Sequence, residues 1–249
     1  MSLSDNDEAI RLSKRLSELG FCSRREADQW IQMGWVMVDG HIVNELGSRV
    51  FRHQEITVDR KADLAQNHKV TILYHKPVGI VSGQAEDGYT DAVSMIGEDN
   101  HYPEDKSGIR FSRQHLRHLA PAGRLDSDSS GLLVLTQDGR VAKQLIGPES
   151  DIEKEYLVRV EGELSGEDLK RLRYGLSLDN EPLKPAQVGW LNHDQLIFVL
   201  KQGKKRQIRR MCEMVGLKVV GLKRVRIGNI RLAALPNGQW RYLMPDESF

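Results

Sequence analysis

Residues 123–136 have the sequence Gly123-Arg-Leu-Asp126-Ser-Asp128-Ser-Ser-Gly-Leu-Leu-Val-Leu-Thr136, in which a polar loop leads directly into an apolar strand. A carboxylate at the mouth of a rigid strand is held well enough to act as a nucleophile or a base. Asp126 and Asp128 could equally bind a metal ion or simply form a turn. The turn is the favoured interpretation of the residues alone, because Asp and Ser are common in turns. A metal site is the least favoured, since no further acid or His is spaced to complete a ligand set.

The segments around this loop mix strand-like and helix-like patterns irregularly. Predicted strands outnumber predicted helices and do not alternate with them, which favours the α+β class over a doubly wound parallel sheet. The predicted helices are 139–146, 167–174 and 206–215, the second preceded by a Ser165–Asp168 capping pair. The predicted strands are 70–74, 131–136, 155–160, 195–200, 218–222 and 227–232.

The first sixty residues predict a small unit of two helices and a hairpin. A helix with leucine spacing ends at Gly20, and Ser23 with Glu26 three residues later forms a capping box that starts a second helix. Two short apolar segments then flank Asp39-Gly40, which is a strong hairpin signal because Gly accepts the positive φ of a tight turn. Another short strand is predicted at 55–58.

The charge of the chain is unevenly placed, although the net charge is only +1. Between Lys201 and Arg231 there are eleven Lys or Arg residues and one acid, Glu213. A second stretch without acids, 110–124, holds four arginines and two histidines. A solvated charged face is the common meaning of one such run, but two runs favour a surface that binds anions, with nucleic acid as the first candidate.

Several protein classes are disfavoured by the sequence. No apolar run is long enough to cross a bilayer, and the N-terminal residues lack the apolar core of a secretory signal, so we expect a cytoplasmic protein without membrane contact. Cys22 and Cys212 are 190 positions apart, which argues against a disulfide framework or a thiolate zinc site. Without a coiled coil or an obvious apolar patch, we expect a monomer.

Arg24 and Arg25 lie in the first turn of the second predicted helix, where cations oppose the helix dipole. Phosphate binding and simple solvation explain this placement about equally well. The surrounding run, Arg11-Leu-Ser-Lys-Arg … Gly20-Phe-Cys-Ser-Arg-Arg-Glu-Ala27 … Gly34-Trp-Val-Met-Val-Asp-Gly40, resembles the S4-type RNA-binding module. That resemblance implies a small α/β domain that binds structured RNA.

The larger part of the chain resembles the RsuA/RluB/RluE/RluF family of rRNA pseudouridine synthases, whose members also begin with an S4-type module. The loop of 123–136 is similar to the family's nucleophile motif, and the C-terminal pattern is most similar to the RluF type, which acts on 23S rRNA. Four further blocks agree in order and spacing: His75-Lys-Pro-x-Gly79, Lys154-Glu-Tyr156-Leu-Val, Gly203-x-x-Arg206-Gln-Ile-Arg209-Arg-Met211, and Leu222-x-Arg224 … Arg226-Ile … Leu235-Pro-x-Gly238-x-Trp240-Arg241.

The resemblance implies an α+β protein with a mixed, mainly antiparallel sheet in its catalytic domain. We predict an S4-like domain at 11–60, an irregular linker at 61–68 and a catalytic domain at 69–249. The connection between residues 92 and 121 is longer than in the family. It could be a disordered surface loop or an RNA-contacting flap, and a mobile flap is favoured because its arginines lead into Asp126.

The resemblance also implies site residues. Asp126 corresponds to the family's nucleophile, Tyr156 to its active-site tyrosine and Arg209 to its basic partner. A guanidinium beside Asp126 would keep the carboxylate ionised in a site that loses water. Helical spacing places Arg209 at the border of the apolar face of its helix.

The remaining candidate residues are expected to bind RNA. By family position, Arg124 would contact the target nucleotide and Leu222 would form an apolar wall of the base pocket. The other candidates are basic residues for RNA phosphates: Arg24, Arg25, Lys204, Lys205, Arg206 and Arg210.

The expected activity is the isomerisation of one uridine of rRNA, free or in an assembly particle, with no metal and no cofactor. Two other functions stay open on the sequence: a non-catalytic RNA-binding or ribosome-assembly factor, and a carboxylate glycosidase. The glycosidase predicts weak salt dependence of substrate binding, whereas phosphate recognition predicts a steep one.

Overall fold

The computed structural model describes residues 8–83 and 88–249, which divide into two units. The first unit extends to Val70 and includes Thr136–Lys143, and the second comprises Thr71–Leu135 and Gln144–Phe249. No helix among the described residues has the length and apolarity that a membrane span requires.

Up to Val58 the first unit contains two helices beside small antiparallel sheets, as predicted, and a third helix, Arg60–Asn67, follows. Ser23 and Glu26 form both hydrogen bonds of the capping box, and the hairpin turns at Asp39 and Gly40, whose φ angles are 49° and 78°. Its buried core includes Leu12, Leu16, Ala27, Trp30, Ile31 and Val36. The elements are β1 (Ile10–Arg11), α1 (Leu12–Glu18), α2 (Arg24–Gln32), β2 (Val36–Val38), β3 (His41–Ile42), β4 (Arg49–Val50), β5 (Ile56–Val58) and α3 (Arg60–Asn67).

The prediction that residues 61–68 are irregular is wrong, because helix α3 covers most of that segment. Asp59 caps the helix by accepting a hydrogen bond from the Lys61 amide at 2.8 Å. Ala62 and Gln66 form the buried face, and the Gln66 amide donates to Asp138 Oδ1 at 2.8 Å. A buried glutamine in place of an apolar residue hides the helical period from a hydrophobicity pattern.

The second unit is built on a nine-stranded sheet, which confirms the α+β class. Its strand order is β12-β13-β9-β14-β8-β6-β16, with β15 paired to β14 and β7 to β8; β14 and β8 run parallel, whereas β9, β12, β13 and β16 pair antiparallel. The elements from Thr71 onward are β6 (Thr71–Lys76), β7 (Ala120–Pro121), β8 (Ser130–Thr136), α4 (Gly139–Ile146), β9 (Lys154–Glu161), α5 (Gly166–Arg173), β10 (Ser177–Leu178), β11 (Glu181–Pro182), β12 (Gln187–Trp190), β13 (Gln195–Leu200), α6 (Gln207–Glu213), β14 (Lys218–Ile227), β15 (Ile230–Arg231) and β16 (Trp240–Tyr242).

Two strand predictions need correction. The predicted strands 218–222 and 227–232 are in fact one ten-residue strand, β14, followed by the short β15. β14 continues through the cations Lys223, Arg224 and Arg226, with an irregularity of register against β9 between Arg224 and Arg226.

The segment 92–121 packs against β16, contrary to the expectation of a mobile flap. His101 stacks on Trp240 with ring centroids 4.3 Å apart, and the Tyr102 amide donates to the Trp240 carbonyl at 2.8 Å. His115 Nδ1 lies 2.6 Å from the hydroxyl of Tyr242. The segment therefore covers the edge of the sheet at β16, with short 3₁₀ turns at Glu98–Asn100 and Arg113–Leu116.

Candidate active site

The loop before β8 is fixed by its neighbours on both sides of Asp126. The amide of the buried Leu125 donates to Ser82 Oγ at 2.8 Å, and that hydroxyl donates to the Leu125 carbonyl at 2.7 Å. The Asp126 carbonyl accepts from the Ser129 amide at 3.1 Å. The carboxylate of Asp126 thus projects from a backbone whose course is set by hydrogen bonds.

Gly131 lets β8 approach β14 very closely. The two strands are parallel neighbours, with Gly131 opposite Arg224. The φ of Gly131 is +113°, and a Cβ at this position would lie 2.2 Å from the Arg224 carbonyl oxygen. Only glycine can adopt this positive φ and also leave room for the backbone of Arg224.

Arg224 ties β14 to the loop that carries Asp126. It is 1% exposed, and its Nε donates to the Leu132 carbonyl at 2.7 Å. Its two terminal nitrogens donate to the carbonyls of Arg124 and Gly123, each at 3.3 Å, and the guanidinium lies 6.0 Å from the ring centroid of Tyr156. One buried cation therefore positions the loop and contacts the active-site tyrosine candidate.

A cavity of about 1230 Å³ opens beside this loop and brings together most of the sequence-predicted residues. Its lining includes Arg124, Asp126, Tyr156, Lys204, Lys205, Arg206, Arg209 and Leu222. Tyr156 is buried in β9, opposite Phe198 of β13 and Arg224 of β14. The cavity thus combines a carboxylate, a buried aromatic ring and a group of cations.

Arg209 lies in this cavity, but its ion pair differs from the one expected. Its Nη2 lies 3.3 Å from Asp128 Oδ1 and donates to the Asp128 carbonyl at 2.9 Å, so the carboxylate it contacts is Asp128 and not Asp126. Arg206 Nη2 binds the other oxygen of Asp128 at 3.0 Å. Asp128, which the resemblance did not assign, therefore joins the loop to the start of α6.

The two guanidiniums shift the pKa of Asp128. Partial burial acts to raise this pKa, but the hydrogen bond from Arg206 and the charge of Arg209 outweigh it, so the pKa lies below its usual value. Asp126 in turn interacts electrostatically with Arg206 and with Lys76.

The remaining candidates do not line the cavity. Arg210 forms a two-pronged ion pair with Asp179, with N–O distances of 2.9 and 2.7 Å. Arg24 and Arg25 are exposed at the start of α2 in the first unit. They stay predicted RNA contacts.

Two buried lysines near the loop were missed by the sequence reasoning, although each lies in a motif that it singled out. Lys76 is fully buried at the end of β6 and donates to the carbonyls of Pro77 and Ile80 at 2.8 and 2.7 Å. Lys154 is 7% exposed at the start of β9 and lines the cavity. Burial lowers the pKa of each lysine to about 8. The sequence signal that could have indicated each of them is a lysine at a strand position whose side chain faces the protein interior.

Among residues 8–83 and 88–249, no three His, Cys, Asp or Glu side chains are grouped so that they could hold a metal ion.

Comparison with known protein families gives a match over most of the chain. Residues 70–214 match the model described as RNA pseudouridylate synthase, and residues 10–56 match the S4 domain. The chain belongs to the RNA pseudouridylate synthase family. It is therefore an isomerase that acts on RNA, with an S4 domain for RNA binding.

Individual relatives of this pseudouridine synthase agree with that assignment. The dual-specificity RNA pseudouridine synthase RluF of Salmonella typhi is 36% identical over 247 residues, covering 97% of this chain and 78% of the relative. Ribosomal large subunit pseudouridine synthase B of Bacillus subtilis is 32% identical over 243 residues, covering 95% and 93%. A crystal structure of a pseudouridylate synthase superposes with a TM-score of 0.64 at 26% identity, covering 94% of this chain and 96% of that one.

Proposed function

We propose that this synthase converts one specific uridine of 23S rRNA into pseudouridine, with Asp126 as the nucleophile. The observation that carries the proposal is the position of Asp126 in a cavity shared with Tyr156, with Arg209 of α6 and with the cations just before that helix, Lys204, Lys205 and Arg206. The assignment to ribosomal RNA draws support from a relative named as a ribosomal large subunit synthase.

The reaction needs no group donor, because it only rearranges the nucleotide. The bond between uridine N1 and C1′ breaks, the base turns, and C5 is joined to C1′. Asp126 would add to C1′, add to the base, or assist a glycal route, and each role requires an ionised carboxylate. The charges of Arg206 and Lys76 interact electrostatically with Asp126.

Arg209 and Tyr156 have distinct roles in this proposal. Arg209 adds positive charge to the cavity and is held there by Asp128. Tyr156 stacks on the uracil, a contact worth roughly 1–3 kcal/mol per base, and its hydroxyl is a candidate for removing the C5 proton. Leu222 forms an apolar wall, and Arg124 contacts the flipped nucleotide.

Recognition of the RNA backbone is assigned to basic side chains in and around the cavity. Lys204, Lys205 and Arg206 would bind phosphates at the cavity lining and Arg210 outside it, with Arg24 and Arg25 doing so from an S4 domain at 11–60. The domain 69–249 would carry the chemistry. Because extruding a paired base costs a few kcal/mol, the target uridine is expected in a loop or bulge.

The experiment that tests this proposal maps carbodiimide-reactive pseudouridines in rRNA from cells with and without the protein. We expect one 23S position to lose its signal without the protein and to regain it on complementation. Identical maps in both strains would contradict the proposal. Release of tritium from [5-³H]uridine-labelled rRNA by purified protein separates the enzyme from a non-catalytic RNA-binding factor, which would free no label.

A further inference from the structure

Lys154 lies beside Tyr156 on the inward face of β9. Side chains alternate along this strand, and the buried positions are 154, 156, 158 and 160. Lys154 is thus the polar member of a row that is otherwise formed by Tyr156 and two valines. It lines the same cavity as Asp126 and Tyr156.

The acids next to Lys154 in the sequence do not neutralise it. Glu153 and Glu155 both bind Arg226, with N–O distances of 3.1 and 2.8 Å. Among the described residues, no carboxylate lies within ion-pair distance of Lys154, and its ammonium donates one hydrogen bond, to the Ile152 carbonyl at 3.2 Å. The Glu-Lys-Glu sequence therefore leaves its central cation without a counter-ion.

An unpaired ammonium at this depth costs stability. Burial, together with the charge of Arg224, lowers the pKa of Lys154 to about 8. Lys76 is buried as deeply, but two carbonyls satisfy it, which is what a structural lysine requires. The single carbonyl contact of Lys154 does not offset its cost, so a function in the cavity is the simpler explanation.

We propose that the Lys154 ammonium donates a hydrogen bond to a carbonyl oxygen of the uracil ring as that ring separates from the sugar. This inference rests on the proposed function. When the N1–C1′ bond breaks, both of its electrons stay on the uracil and are shared between N1 and the ring oxygens. C5 of the same base then bonds to C1′, the C5 proton leaves, and N1 takes up a proton. Lys154 stabilises the transient anion and transfers no proton, so the product is an isomer of the substrate.

The position of Lys154 favours the base over a phosphate as its ligand. Phosphates of the RNA strand would meet the exposed cations of the cavity first, among them Lys205 and Arg206. Lys154 is buried beside the ring of Tyr156, where only a base turned out of its stack reaches it. A cation placed where negative charge develops acts chiefly on the transition state.

The test compares Lys154→Met and Lys154→Arg with the wild type, using tritium release for kcat and KM and thermal unfolding for stability. We expect Lys154→Met to lower kcat about 100-fold or more, to change KM less than about threefold and to raise the melting temperature. Lys154→Arg should retain much more activity than Lys154→Met. Lys170→Met removes one exposed lysine on α5 and should leave all three quantities unchanged.

Three results would overturn the proposal. A Lys154→Met protein that is less stable or fails to fold would show a structural lysine. A raised KM with an unchanged kcat would show a contact made equally in the ground state, such as a phosphate contact, and wild-type kinetics would show no role. If the wild type and Lys154→Met release tritium equally well, only this inference is refuted. If the wild type itself releases no tritium, the proposed function is refuted.

Discussion

Replacing Gly131 with alanine tests the close approach of β8 and β14 on which the site depends. The new Cβ would lie 2.2, 2.5 and 2.9 Å from the carbonyl oxygen, amide nitrogen and carbonyl carbon of Arg224. All three are backbone atoms of a neighbouring strand, so they cannot move without displacing β14. The φ of +113° adds strain, because alanine avoids this region.

The expected cost combines these two effects. A residue held in an unfavourable backbone region costs about 1–3 kcal/mol, and an overpacked contact costs a further 1–3 kcal/mol. We therefore expect Gly131→Ala to lower the free energy of unfolding by about 4 kcal/mol, a large part of the 5–15 kcal/mol that is typical of a folded protein. Because Arg224 holds the carbonyls of Gly123 and Arg124, activity should fall as well.

Urea unfolding followed by tryptophan fluorescence measures this cost. Gly166→Ala is the matched control, since a Cβ at Gly166 meets nothing within 4 Å and its φ is not in the left-handed region. Gly166 begins α5, so alanine there should leave stability unchanged or raise it by up to about 1 kcal/mol. If Gly131→Ala lost less than about 1 kcal/mol, the close packing of β8 on β14 would be refuted.

Three further predictions concern charge. Asp128→Asn keeps the shape of the side chain but weakens its interaction with Arg206 and Arg209. We therefore expect kcat/KM to fall about tenfold in single-turnover tritium release. An unchanged kcat/KM would show that Asp128 does not position the two arginines. The stability gain of Lys154→Met should be about 3 kcal/mol larger at pH 7 than at pH 10.5 in urea unfolding. The reason is that the folded-state pKa of about 8 lies below the ordinary lysine pKa of 10.5, so wild-type stability rises with pH between these two values. A gain independent of pH would contradict the buried ammonium. Arg210→Gln should reduce the salt dependence of RNA binding by about one counterion without changing kcat, and an unaltered slope in filter binding would exclude a phosphate contact.

Local signals in the sequence predict much of the fold. The Ser23–Glu26 capping box and the Asp39-Gly40 turn are complete within a few residues, and the structure forms both as predicted. The helix 139–146 and the strand 195–200 also match α4 and β13, because their apolar patterns need no distant partner for recognition.

The failed predictions involve polar residues whose partners are distant in the chain. Gln66 belongs to a helix face because Asp138 accepts its hydrogen bond, 72 positions away. Arg224 continues a strand because three carbonyls, about a hundred residues upstream, satisfy its guanidinium. Hydrophobic periodicity contains no information about such pairs. It therefore predicted a linker around Gln66 and two separate strands around Arg224.

The candidate site was predicted as a set of residues but not as a set of contacts. Family resemblance named Asp126, Tyr156 and Arg209, and the structure places all three in one cavity. The partner of Arg209 is Asp128, however, a residue that resembles an ordinary turn residue in the sequence. The counter-ion of a side chain depends on packing between α6 and the loop, which spacing alone does not determine.

The central claim, that the Asp126 carboxylate performs the reaction, is tested most directly by Asp126→Asn in a single-turnover tritium-release assay. The isosteric amide should bind labelled rRNA within about threefold of the wild-type affinity and release no tritium above background. Asp194→Asn, which changes a surface carboxylate paired with Arg159, should release label at the wild-type rate. Tritium release by Asp126→Asn at a rate comparable with the wild type would contradict the account.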